Sequence, residues 1–190
     1  MAAKPGEVRI IGGEWRSRKL PIADVPGLRP STDRVRETVF NWLQADIAGA
    51  RCLDLFAGSG ALGFEAASRG AREVLLVESN SKAQQNLAAN IIMLKAQQVQ
   101  LVCADALSWL QQAHPPFDVV FIDPPYASDL LAQSCDLLEQ QHLLTAQAKI
   151  YLEYDAQRDL PPLPKNWQII HGKRAGQVGY YLAQRDAKAE

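Results

Sequence analysis

The chain has 190 residues, a formal net charge of −1 and a 47% hydrophobic composition, which suits one globular domain with a sizeable core. No apolar run approaches the roughly 20 residues of a membrane-spanning helix, and the opening MAAKPGEVRIIGGEW lacks the apolar stretch of a secretory signal. Cys52, Cys103 and Cys135 form no C-x-x-C pair, so they are expected to be reduced packing residues of a cytoplasmic protein, without disulfide or metal.

Two short strand-like runs, VRIIGG and SRKLPI, open the chain. PSTDRVRETVFNWLQADI then reads as a helix, with Val35, Val39, Trp42, Leu43 and Ile47 at helical spacing and Ser31 or Thr32 as its cap. From residue 51 strands and helices alternate: RCLDLF, ALGFEAASRG closed by Gly70, EVLLVE, SKAQQNLAANIIMLK, VQLVCA, DALSWLQQA begun by Asp105, FDVVFI, SDLLAQSCDLLEQQHLL and KIYLEY. DLPPLPKNW is too rich in proline for a helix. WQIIHGKRAGQVGYYLAQR reads as two strands around a loop containing Gly172 and Gly176. The pattern predicts an α/β fold: a mostly parallel sheet with helices on both faces and an antiparallel C-terminal edge hairpin. Residues 1–48 form a small hairpin-and-helix extension, and 49–190 the main domain.

Charge is unevenly placed. Residues 1–36 hold eight basic residues, Lys4, Arg9, Arg16, Arg18, Lys19, Arg29, Arg34 and Arg36, against four acids, Glu7, Glu14, Asp24 and Asp33. The remainder is acidic. A basic extension on an acidic body is a candidate footprint for phosphates, although a charged run is by itself more often a solvated face.

The first core strand runs into DLFAGSGALG, where Gly58, Gly60 and Gly63 follow G-x-G-x-x-G between a strand and a helix. That context marks a nucleotide-type cofactor. Asp54 lies at the end of the strand, where a carboxylate repels a pyrophosphate but suits the ammonium and sulfonium of S-adenosylmethionine. Glu78 ends the second strand and can accept from both ribose hydroxyls. Asp105 follows the third and can take an adenine amine beside the Ala106 backbone, or simply cap a helix. Strand ends at this edge are where open α/β sheets bind ligands.

The fourth strand stops at DPPY. Two prolines fix the backbone and leave the Pro124 carbonyl free to accept. Asp123 and that carbonyl offer two acceptors to the two hydrogens of one amine, and Tyr126 offers a flat face for a base. Two such acceptors turn the lone pair of an exocyclic amine toward a methyl donor, once the base has left its stack. The residues alone do not separate guanine from adenine, and an N6-adenine methyltransferase acting on DNA or RNA is the alternative.

RIIGGEWRSRKLP, LRPSTDRVRETVFNWL, CLDLFAGSGALGFEAASRGA and FDVVFIDPPY together resemble the blocks of the bacterial 16S ribosomal RNA guanine-N2 methyltransferases of the RsmD type, in family order. The resemblance implies a Rossmann-like methyltransferase fold, S-adenosylmethionine as cofactor, and a guanine of small-subunit 16S rRNA, in the subunit or an assembly intermediate, as substrate. It places the cofactor on Asp54, Phe56, Gly58, Gly60, Glu78, Ser79, Asp105 and Ala106, and the target base on Asp123, Pro124, Pro125 and Tyr126. The RNA is expected to meet Arg16, Arg18, Arg29, Arg34 and Arg36. No membrane partner is expected, and a monomer is the default.

Overall fold

A short antiparallel hairpin begins the structure, a computed structural model that describes residues 6–125 and 129–186. Its strands β1 (Glu7–Arg9) and β2 (Lys19–Pro21) pair Val8 with Leu20. Both side chains are buried. Helix α1 (Asp33–Trp42) follows, capped by the Thr32 hydroxyl, which accepts from the Val35 N–H at 3.3 Å. The helix is shorter than its apolar spacing predicts, ending at Leu43 while Ile47 packs from the turns beyond it.

The main sheet is built from β3 (Arg51–Asp54), β4 (Glu73–Glu78), β5 (Val99–Cys103), β6 (Phe117–Ile122), β7 (Leu144–Asp155), β8 (Trp167–Ala175) and β9 (Val178–Arg185). Their order is β5-β4-β3-β6-β7-β9-β8. The first five of that order run parallel, while β9 lies antiparallel to both β7 and β8. Strand order reverses between β3 and β6, so a crevice opens at their carboxyl ends. Helices α2 (Ala61–Ser68) and α3 (Ser81–Leu94) join α1 on one face, and α4 (Ala106–Leu110) and α5 (Leu130–Gln140) cover the other. The first segment is not a loose arm: Val8, Leu20 and Val35 share one hydrophobic cluster with Cys52, Phe64 and Leu76.

Three expectations change. Helix α5 stops at Gln140, because His142 takes a left-handed φ of 55°, and the chain enters β7 already at Leu144, opposite Phe117. Gly172 lies inside β8, not in the hairpin loop. A side chain there would meet the Tyr181 ring at 2.8 Å, so the glycine makes room for the cross-strand aromatic. Cys103 is exposed, since β5 is the sheet's edge, whereas Cys52 and Cys135 are buried. Among the described residues no helix is long and apolar enough to cross a membrane.

Candidate active site at the carboxyl edge of the sheet

Alternation along three neighbouring strands brings three acids to one face. Leu53, Ile122 and Leu152 point toward α4 and α5, whereas Cys52, Phe121 and Tyr151 point toward α1 and α2. Asp54, Asp123 and Glu153 therefore share the α1–α2 side at the carboxyl edge. Asp54 is 2% and Glu153 6% exposed, and Asp123 is half-buried directly after Ile122. Glu153 accepts from the Tyr151 hydroxyl at 2.9 Å and the Ser31 hydroxyl at 3.0 Å. So Ser31, one of the two expected caps of α1, instead ties the segment before that helix to the acid row.

Burial raises the Asp54 carboxyl to about 7, helped by the Glu78 charge and opposed by the Gly63 N–H. Burial also holds Asp123 well above the ordinary carboxylate range, with the charges of Glu153 and then Asp54 adding to it. Among the described residues no ion pair neutralises Asp54, Glu78 or Asp123, and no cluster of acids, histidines and cysteines is arranged to hold a metal. Acids whose ionisation is opposed by burial and mutual repulsion fit a cationic ligand, which would restore their charge, and disfavour a pyrophosphate.

The glycine loop is held by two of these acids. The Gly63 N–H donates to Asp54 Oδ2 at 2.9 Å, and the Gly58 N–H donates to Glu78 Oε2 at 2.8 Å. Glu78 also accepts from the Asn80 N–H at 2.7 Å. Gly60 caps α2 with a left-handed φ of 77°, a backbone state that a Cβ disfavours. A Cβ on Gly63 would lie 2.2 Å from Leu76 Cδ2, so α2 packs against β4 at a distance only glycine allows.

Asp105 caps α4, accepting from the Ser108 N–H at 2.9 Å; that backbone bond leads the effects that hold its carboxyl below the usual range. It stays exposed beyond β5, beside buried Ala106. Phe56 is half-buried behind the glycine loop, and Ser79 is exposed just after Glu78. Pro124 is buried and Pro125 exposed. Tyr126, expected to stack on the base, lies outside the described residues.

The expected RNA-binding arginines separate into three groups. Arg29 and Arg34 are exposed and, among the described residues, form no ion pair. Their neighbours reach the carboxyl edge: Leu28 covers Gly58, and Ser31 reaches Glu153. Arg36 does not serve phosphates. It is 1% exposed, donating to Asp33 at 2.6 Å, to Glu65 at 3.4 Å and to the Ser31 carbonyl at 3.2 Å. Fully buried Glu65 also accepts from the Ile11 and Gly12 N–H groups and from Arg69. Arg16 and Arg18 sit on a loop pinned at the far ends of α2 and α3: the Trp15 N–H donates to Ser68 Oγ, and Arg18 to the Met93 carbonyl. Those helix ends lie away from the edge that holds Asp123.

Sequence reasoning missed Glu153, although KIYLEY puts an acid at the end of the fifth core strand as LD, LVE and FID do at theirs. It also missed Glu65, the single acid in an otherwise apolar, fully buried helix.

A family profile described as "Conserved hypothetical protein 95" matches residues 8–184. The Ribosomal RNA small subunit methyltransferase D of Escherichia coli (strain K12) is 50% identical over 185 residues, covering 97% of this chain and 93% of that protein. The protein of the same name from Haemophilus influenzae is 45% identical, covering 94% of each chain. The chain belongs to the ribosomal RNA small subunit methyltransferase D family. Among solved structures, the yhhF chain of Escherichia coli superposes with a TM-score of 0.90 at 49% identity, covering 96% of this chain and all of that one. The doubly wound sheet with its antiparallel edge is thus the Rossmann-like methyltransferase fold, and the acid row lies at the carboxyl edge of its sheet.

Proposed function

We propose that this chain transfers a methyl group from S-adenosylmethionine to the exocyclic N2 amine of a guanine in 16S ribosomal RNA of the small subunit. The observation that carries the reading is the convergence of Asp54, Glu78 and Asp123 at the sheet's switch point, with no ion pair to any of them among the described residues. Family membership supports rRNA methylation, and the DPPY segment supports an amine as acceptor.

The fit to the cofactor rests on charge and on the loop. Asp54 would hold its ammonium end, Glu78 its ribose hydroxyls, and Asp105 with the Ala106 backbone its adenine, while Gly58 and Gly60 would let the loop approach. Bound there, the cofactor supplies an electrophilic methyl group on sulfonium. Asp123 and the Pro124 carbonyl accept the two N–H bonds of the amine, and this orients its lone pair in line with the methyl group. Asp123 would be favoured in its ionised form by the sulfonium of a bound cofactor. The raised proton affinity that burial gives Asp123 then suits it to hold the proton that the methylated amine loses. Tyr126 supplies a stacking face for the unstacked base.

The test is methyl transfer from labelled S-adenosylmethionine to small ribosomal subunits lacking their native methylation, followed by nucleoside analysis, with Asp123→Ala alongside. Label is expected in N2-methylguanosine, and it disappears in the variant. Label in N6-methyladenosine would overturn the base assignment. No label in the presence of measurable cofactor binding would overturn the substrate.

A further inference from the structure

A row of cross-strand partners runs outward from the candidate active site. Ile122 on β6 pairs with Leu152 on β7, so Asp123 neighbours Glu153. Glu153 pairs with Tyr180 on β9, and Tyr180 pairs with Lys173 on β8. Directly paired residues share a sheet face, so Lys173 stands on the same face as Asp123. Three strand spacings separate them, about 14 Å. Arg174 follows on the opposite face, and the Gly176–Gln177 turn beyond it lies at the carboxyl edge, because Val178 pairs with Asp155.

Lys173 and Arg174 are exposed and, among the described residues, form no ion pair. Cations on an edge strand commonly serve to block edge-to-edge association. Here they are not spread along the strand. The stretch from Trp167 to Gly172 carries no lysine or arginine, and both cations fall in the last three residues of β8, at the end nearest the active site. Nearby Arg158 sits over the Tyr154 ring at 5.6 Å, flanked by Asp155 and Asp159, and adds little net charge. The hairpin is also fixed in place. Trp42 of α1 stacks on His171 and Tyr180, at 5.0 and 5.6 Å between ring centres. The same helix carries Arg34 in its first turn.

We propose that the turn end of the β8–β9 hairpin is a phosphate-binding surface for the RNA substrate, with Lys173 and Arg174 contacting the backbone that flanks the target nucleotide. Arg29 and Arg34 belong to the N-terminal segment, which reaches the same edge through Leu28 at Gly58 and Ser31 at Glu153. The overall charge of −1 gives no general attraction for RNA, so local cations at the mouth of the site must hold it. The inference rests on the RNA-methylating reading given above.

The test compares the full chain with Lys173→Ala/Arg174→Ala, measuring binding to a transcript of 16S rRNA across a salt series. Arg72→Ala, an exposed residue at the opposite end of the sheet, is the control. Loss of two single-strand phosphate contacts lowers the slope of log K against log salt by about 1.4, while cofactor affinity and thermal stability stay at their wild-type values. A wild-type slope in the double variant would overturn this surface and leave the substrate reading standing. A fall half as large in Arg72→Ala, which removes one charge where the double variant removes two, would reduce the effect to net charge and overturn it too. No salt-dependent RNA binding by the wild type would sink the substrate reading, and this surface with it.

Discussion

Asp54→Asn is expected to stabilise the protein in the absence of cofactor while abolishing cofactor binding. The Asp54 carboxyl moves from 3.8 to about 7 on folding, chiefly because it is buried. Below pH 3.8 it is neutral in both states and costs nothing. Between 3.8 and about 7 the folded chain keeps a proton that the unfolded chain has lost, so stability falls as pH rises through that window. At about 1.4 kcal/mol per pH unit the full loss by pH 8 is about 4 kcal/mol as an upper figure. Asparagine carries no charge, and its carbonyl can still accept from the Gly63 N–H that Asp54 holds at 2.9 Å. The variant should match wild type near pH 4 and exceed it by about 2–4 kcal/mol at pH 8, roughly 5–15 °C in Tm for a chain of this size. Thermal unfolding followed by circular dichroism over this range reads the difference directly. With S-adenosylmethionine added at pH 8, wild type gains stability and the variant does not. Equal pH slopes for the two apo proteins would refute the argument that Asp54 is an uncompensated buried acid awaiting a cation.

Arg36→Met should cost about 3 kcal/mol in urea unfolding, because it leaves buried Glu65 short of a cation, with RNA affinity unchanged where the chain is folded; an RNA defect at full stability would contradict the structural role. Glu153→Gln should move the acid limb of the kcat/KM profile to lower pH, because the Glu153 charge helps hold Asp123 above its ordinary range; an unmoved profile would separate the two acids. Glu139 is raised by burial, but hydrogen bonds from Arg185, then Trp167 and Asn166, lower it further, to about 2. Its contribution is therefore present above pH 4.5 and lost as pH falls toward 2. Glu139→Gln should cost about 1–2 kcal/mol at pH 6, allowing for its partial exposure, and nothing near pH 2, by urea titration at the two pH values.

The sheet was legible because its signals are local. β4 and β6 coincide with EVLLVE and FDVVFI, and the Thr32 cap of α1 stands among the expected residues. Three of the four edge acids could be picked out because each ends an apolar run. What was not local was lost. Nothing in VQLVCA says that β5 is an outer strand, so the exposure of Cys103 follows only from strand order. The position of Lys173 relative to Asp123 likewise depends on a register that runs through three strand pairings.

Arg36 is the instructive error, because its phase was available. Arg34 and Arg36 look alike in a count of basic residues, but Arg36 stands three residues before Val39 and four before Phe40, on the apolar face of α1. A cation on that face needs a buried acid, and ALGFEAAS, apolar all round, offers only Glu65. The pair could have been proposed from those two helices. Its consequence is mechanical. Glu65 lies in the helix that begins at the glycine loop, and Arg36 in the helix that begins beside Ser31 and Glu153. Joining them ties α1, which carries the exposed Arg34, to α2, which begins at the loop that Asp54 and Glu78 hold. Under the proposed function, a phosphate held by Arg34 would then sit at a constant distance from the carboxyl edge, which an arm carried on a free linker could not do.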